Sequence, residues 1–274
     1  MATQAEKGKT FRALHERAGG AFIIPNPWDI GTARILAHLG FEALATTSAG
    51  YAFSVGQRDN TIDRNRMIKH VADIVSATDL PVSADLGNCF GDAPETVAET
   101  IRLAAATGLV GGSVEDMTSD PKNLIYDFEL AVERVRAAAV AARSLPFSFT
   151  LTARAENYLV GRPDLADTIK RLQAFQEAGA DVLFAPGLTK REDIASVISS
   201  VDRPVNVIMG LRGMELSLQD LSEIGVRRIS TGSALSRAAL GAFLRAAREM
   251  QTHGTFTFAD DAASYQEISA IFKT

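Results

Sequence analysis

PVSADLGNCFGDAPETVAETIRLAAATGLVGGSVED, residues 81–116, holds one complete unit of the pattern that decides the fold. Pro81–Asp85 is a short apolar run that ends on a carboxylate, and Pro94–Ala106 has the apolar spacing of an amphipathic helix. Gly108 sits where a left-handed residue stops a helix, and Gly111–Glu115 is a second apolar run that again ends on a carboxylate. Two strands joined through a helix run parallel, because only a long crossover returns the chain to the same end of the sheet.

The unit recurs along the chain. Strands are expected at Ala21–Pro25, Ala43–Thr47, Pro81–Asp85, Gly111–Glu115, Phe147–Arg154, Asp181–Ala185, Val205–Met209 and Arg228–Thr231. Helices are expected at Asp29–Leu39, Asp63–Ala77, Pro94–Ala106, Phe128–Ala142, Leu165–Glu177, Glu192–Ser199, Leu218–Ile224 and Ala234–Gln251, with Gly40, Gly108, Gly179 and Gly225 as stops. Eight strand–helix units predict an α/β fold, a (β/α)8 TIM-type barrel over about 21–250, with an open doubly wound sheet as the alternative. An extra N-terminal helix, Glu6–Arg17, precedes the barrel, and a C-terminal helical arm of about 251–274 follows it. The whole chain, 1–274, is expected to be one domain.

Composition narrows the function. Hydrophobic residues make up 46% and charged residues 22% of the 274 positions, as in ordinary globular proteins. A net charge of -5 and the absence of basic runs argue against a nucleic-acid partner. The start is too polar for a signal peptide, and no apolar stretch is long enough to span a membrane. The single cysteine, Cys89, excludes an intrachain disulfide, so a reducing, cytoplasmic setting is expected.

In such barrels chemistry sits where the strands end. Asp85 and Glu115 end adjacent strands behind apolar residues, so each is desolvated unless paired, hydrogen-bonded or metal-bound. Two such carboxylates repel, and a hard cation such as Mg²⁺ or Mn²⁺ would relieve that; a helix cap or a salt bridge is the other reading. Arg154 ends the fifth strand, where its fork would grip a substrate carboxylate or pair internally with Glu156 or Glu115. Thr47-Ser48-Ala49-Gly50 reads either as a carboxylate cradle or as a plain tight turn. No His or Lys ends a strand, which disfavours a His-ligated zinc site and a Schiff-base aldolase, and no nucleotide-binding glycine motif or GxSxG elbow is present.

PNPWDIGTARILAHLGFEALATTSAG, GQRDN, PVSADLGNCFGD, GGSVED, TARAENYLVGRPDLADTIKRLQAFQEAGADVLFAPG and NVIMG follow in unbroken order from about Phe22 to Phe243. This series resembles the isocitrate lyase / phosphoenolpyruvate mutase superfamily, in the branch that looks phosphoenolpyruvate mutase-like and methylisocitrate lyase-like. The resemblance implies a barrel whose last helix is swapped between subunits of a homodimer or homotetramer. It also implies Mg²⁺ (or Mn²⁺) and a small-molecule carboxylate substrate that passes through an enolpyruvate-like species. Carried over by position, Asp85 is the direct metal ligand, and Asp59 and Glu115 hold metal-bound waters. Arg154, Thr47, Ser48 and Ala49 bind the substrate; beside that carry-over, Trp28 and Asn206 are further candidate substrate contacts, and Lys122 and Asn123 of the loop after the fourth strand either act on a leaving group or belong to a solvated gate loop.

The sequence also departs from that family. Gly87 stands where the family has a second carboxylate, Cys89 replaces a glycine, and the EDMTSDPKNLIYD segment lacks the acid cysteine of isocitrate lyases. Pro186 lies where phosphonate enzymes have a His near the end of the sixth strand. The expected activity is therefore a Mg-dependent carbon–carbon lyase or decarboxylase acting on a 2-oxo or 2-hydroxy di- or tricarboxylate. A P–C bond mutase or hydrolase, a phosphate-binding barrel using Gly210, Gly213, Gly232 and Ser233, and a non-catalytic member with a degraded metal site are the alternatives.

Overall fold

A computed structural model describes residues 2–272. Eight parallel strands alternate with helices: β1 (Phe22–Ile24), β2 (Leu44–Ala45), β3 (Val82–Asp85), β4 (Gly111–Glu115), β5 (Thr150–Arg154), β6 (Val182–Phe184), β7 (Val205–Ile208) and β8 (Arg228–Ser230). The hydrogen-bonded order is β1-β8-β7-β6-β5-β4-β3-β2. The β1–β2 seam has no ladder, but the Ala45 N–H donates to the Pro25 carbonyl (3.1 Å) and brings the edges together. The result is the expected (β/α)8 barrel rather than an open sheet.

The helices are α1 (Gln4–Glu16), α2 (Ile30–His38), α3 (Ser48–Ser54), α4 (Arg64–Ser76), α5 (Pro94–Ala105), α6 (Phe128–Arg143), α7 (Leu165–Ala178), α8 (Arg191–Ser199), α9 (Leu218–Glu223), α10 (Ala234–His253) and α11 (Tyr265–Ile271). Their starts follow local chemistry. Asp29, Asp63, Asp164 and Ser217 accept backbone N–H groups as caps, and Pro94 opens α5. The expected stops hold: Gly40, Gly108, Gly179 and Gly225 all have positive φ.

Two expected features differ. Thr47–Gly50 is not an isolated turn: Thr47 caps α3, accepting the Gly50 N–H at 3.2 Å. The fifth strand begins at Thr150 rather than Phe147: Thr150 pairs with Gly111, the first residue of β4, and the ladder runs upward from there.

The main core fills the space between the strands and their helices. A second cluster, Phe11, Leu14, Phe22, Ile24, Ala43 and Val110, seals the lower mouth of the barrel under α1. Burying Phe11 there contributes about 2–3 kcal/mol. α10 behaves differently. Its only buried residue is Ser236, while Leu235, Leu240, Phe243 and Leu244 are exposed. The chain then makes a 3₁₀ turn at Thr257–Asp261, tied by Glu249 to the N–H groups of Thr257 and Phe258, and α11 packs against α2. No helix among the described residues is long and apolar enough to cross a membrane.

Candidate active site

The upper ends of the strands surround a cavity of about 190 Å³. Thr47, Ser48, Ala49, Asp59, Asp85, Arg154 and Asn206 all line it, so seven of the residues singled out in the sequence share one chamber. A larger, adjoining space of about 780 Å³ shares Ser48 and Asp59 with it and extends beneath the β4–α6 loop.

Arg154 is the centre of the rim. Its Nη1 contacts Asp85 Oδ1 (2.9 Å), its Nη2 contacts Glu115 Oε2 (3.1 Å), and its Nε donates to Glu156 Oε1 (2.7 Å). The Phe184 ring lies beside the guanidinium, 5.3 Å from its carbon. Strand register produces this arrangement, since Asp85 pairs with Ser113 and Glu115 with Arg154 on neighbouring ladders. Asp85 is held further by the N–H groups of Ser48 (3.1 Å to Oδ2) and Gly87 (3.3 Å to Oδ1). Glu156 is set by Asp116, which accepts its N–H at 2.8 Å and is itself paired with Arg171 at 3.0 Å.

One guanidinium among three carboxylates leaves the rim acidic. Burial raises the Glu115 pKa well above the usual value, against the pull of Arg154 and with the charges of Glu156 and Asp85 adding to it. Burial also raises Glu156. Asp59 sits on an exposed segment, yet its carboxyl is raised by partial burial and then by the charge of Asp85. Arg154 moves upward although burial opposes its charge, because Glu156, Glu115 and Asp85 hold its proton.

Among the described residues no three His, Cys, Asp or Glu side chains stand as a ready-made metal cluster. The donor chemistry still suits a hard dication that keeps most of its water: carboxylates only, two of them, Asp59 and Asp85, on the cavity wall. Gly87, with φ of 55°, marks what is missing, for a Cβ there would lie 3.8 Å from Glu115 Oε1. The loop that carries it contains two more left-handed residues, Cys89 and Phe90, and is held by the buried Arg134, which donates to the carbonyls of Asn88, Gly91 and Asp92. Cys89 is fully buried, and burial pushes its thiol up to about 12, so it is no proton donor at neutral pH.

Three predicted residues lie elsewhere. Lys122 and Asn123 are exposed on the β4–α6 loop, where Asp120 accepts the Lys122 N–H and the Asn123 amide. Trp28 is half-buried beside Gly50 and does not line the cavity. Conversely, Asn26 and Arg228 belong to the site and were not among the predicted residues. Asn26 staples the rim, accepting the N–H groups of Thr231 (2.8 Å) and Gly232 (2.9 Å) while donating to the Thr46 carbonyl (3.0 Å).

Comparison with known proteins bears on the family and the fold. Residues 11–251 match the profile of the family described as phosphoenolpyruvate phosphomutase. The 2-methylisocitrate lyase of Escherichia coli (strain K12) is 32% identical over 209 residues, 72% of this chain and 68% of that protein. A solved protein of Burkholderia cenocepacia J2315, described as a candidate lyase/mutase, has a TM-score of 0.96 at 63% identity, covering 99% of this chain and 97% of that one. Phosphonopyruvate hydrolase, solved with oxalate and Mg²⁺, shares the fold (TM-score 0.85, 21% identity, 97% and 94% covered). Matched relatives also include an oxaloacetate decarboxylase of Paraburkholderia xenovorans and a 2,3-dimethylmalate lyase of Eubacterium barkeri.

Proposed function

From the premise that this chain belongs to the phosphoenolpyruvate phosphomutase family, we propose that it is a Mg²⁺-dependent carbon–carbon lyase or decarboxylase acting on a 2-oxo or 2-hydroxy di- or tricarboxylate. The observation that carries this reading is the rim itself: Asp85, Asp59 and Arg154 facing one small chamber with the Thr47–Ala49 segment.

Asp85 would hold the ion directly, and Asp59 and Glu115 would accept hydrogen bonds from its waters. When bound, Mg²⁺ supplies a Lewis acid that draws charge from the 2-oxo group. Ser48 and Ala49 at the start of α3 receive the substrate carboxylate, with Thr47 fixing their turn. Arg154 has five N–H donors, and the carboxylates occupy three, so two remain for the oxygen on which charge develops as the bond to C3 breaks. The three carboxylates fix the plane of the guanidinium before substrate arrives, so little reorganisation accompanies the reaction. Phosphonate chemistry fits less well, because Pro186 lines the chamber where a phosphate-binding His is needed. Lys122 and Asn123 would meet the leaving fragment by closure of the loop over the adjoining space.

The test is incubation with Mg²⁺ and oxaloacetate, methylisocitrate, dimethylmalate or phosphonopyruvate, with release of the 2-oxo acid as readout. Turnover of a carboxylate but not of phosphonopyruvate supports the lyase; the reverse overturns it. The second reading, a non-catalytic member, is favoured by Gly87, and a folded protein without calorimetric Mg²⁺ binding at millimolar concentration would select it. We also propose that the exposed apolar residues of α10 pack on a second copy of the chain in a helix-swapped homodimer or homotetramer, in keeping with Phe243 being 68% exposed. Phe243→Asp should then yield a monomer in analytical ultracentrifugation.

A further inference from the structure

Below the rim a second arginine enters the barrel. Arg228 opens β8, is 6% exposed, and lines the same chamber as Arg154. Its Nε donates to Asn206 Oδ1 (2.8 Å), its Nη2 to Thr152 Oγ1 (3.0 Å), and its Nη1 faces His15 Nε2 (3.5 Å). All three partners are neutral. His15 places Nδ1 2.8 Å from the Phe11 carbonyl, so that nitrogen carries the hydrogen and Nε2 presents a lone pair to Arg228. Burial and then Arg228 itself lower His15 to about 3, which keeps the ring uncharged. No carboxylate among the described residues pairs with Arg228; the charge that acts on it is Arg154, and burial and that charge lower its pKa to about 9.

A guanidinium buried without a counter-ion costs several kcal/mol, which neutral acceptors offset only in part. Two of its five N–H groups remain uncommitted among these contacts. An anion entering the chamber would supply the missing charge. We propose that Arg228 is a second anion-binding residue of this site: it receives one anionic group of the substrate at the chamber floor and selects doubly charged acids over singly charged ones. Asn206, which donates to Ser230 Oγ (2.9 Å) while accepting from Arg228, is the positioning residue that aims the fork. The assignment rests on the 2-oxo acid reading above for its substrate class, but its test needs no turnover.

The probe is oxalate, a dianion, against pyruvate, a monoanion, titrated calorimetrically at saturating Mg²⁺ into wild type, Arg228→Met, Arg228→Gln and Arg228→Lys. Losing a desolvated charge partner should weaken oxalate by about 30-fold or more in the Met and Gln variants, and pyruvate by much less. Arg228→Lys, which keeps the charge, should fall between. Arg228→Gln keeps a donor for Asn206 and serves if the Met variant does not fold. Oxalate affinity unchanged in a folded Gln or Met variant, or oxalate and pyruvate weakened equally, overturns the assignment, as does a wild type that fails to bind oxalate. Turnover of the carboxylate panel with unchanged oxalate binding in the variants would sink only the floor assignment. Arg228-dependent oxalate binding with no turnover would sink only the lyase reading.

Discussion

Arg154 and Arg228 project into the same barrel from β5 and β8 and live in opposite surroundings. Arg228 reaches Thr152, two residues before Arg154 and so about 7 Å lower along the strand. At the rim three carboxylates press on Arg154, and the balance is negative. At the floor Arg228 has an amide, a hydroxyl and a neutral imidazole, and the balance is positive. A chamber with an acidic mouth and a cationic base favours a cation above and an anion beneath. Residue type alone does not set the role of a buried arginine; the charge of its neighbours does.

The largest effect expected from this contrast is on stability. Arg154→Met strands two buried carboxylates, Glu115 and Glu156, and the half-buried Asp85, and should destabilise the fold by about 3–5 kcal/mol in denaturant titration. Arg228→Met removes an uncompensated charge while leaving three neutral acceptors, Asn206, Thr152 and His15, without their donor, and should cost less, about 1–2 kcal/mol. Equal losses would erase the distinction. Next, Asp85→Ala should lower kcat/KM by about a thousandfold, about 4 kcal/mol, with the fold intact, because it removes the cavity-wall carboxylate that would hold the ion directly. Arg154→Lys should follow at about a hundredfold, about 2.7 kcal/mol, since an ammonium cannot span three carboxylates and a substrate oxygen; a loss under about tenfold would remove the fork from the mechanism.

The smallest effect sharpens the floor. The ordinary His pKa is 6.5 and folded His15 lies near 3, so only the unfolded chain takes up this proton as pH falls below 6.5. Stability contributed above pH 6.5 is therefore lost on acidification, at up to about 1.4 kcal/mol per pH unit for this group. Raised carboxylates such as Glu115 act in the opposite sense, so the comparison is with His15→Leu measured under identical conditions. The variant should lose stability less steeply between pH 6.5 and 4; parallel curves would mean that His15 is not held neutral.

Much of the barrel was legible in the sequence because strand ends and helix stops are local. The Gly111–Glu115 strand matches residue for residue, since both its turn and its carboxylate end are written nearby. α3 was missed because seven residues starting Ser-Ala-Gly resemble a turn, and only the Thr47 cap tips them into a helix. Arg228 was invisible for a different reason. In Arg227-Arg228 one side chain is half-buried and the other faces the chamber, and the phase of a three-residue strand is set by its neighbours' ladders. Arg134 likewise reads as a charge on the wet face of a helix, yet it is 1% exposed and fastens the loop bearing Gly87.

His15 belongs to α1, the helix that plugs the barrel from underneath. The last turn of α1 thus reaches the base of the chamber through the His15–Arg228 contact, without lining it, from the side opposite the one that substrate enters. Trimming or re-engineering that leading segment would uncork the barrel, admit solvent to the base of the chamber and change the electrostatics of a pocket it never overlooks. A shortened chain that stays folded should accordingly show altered affinity for acids before it shows any change at the mouth.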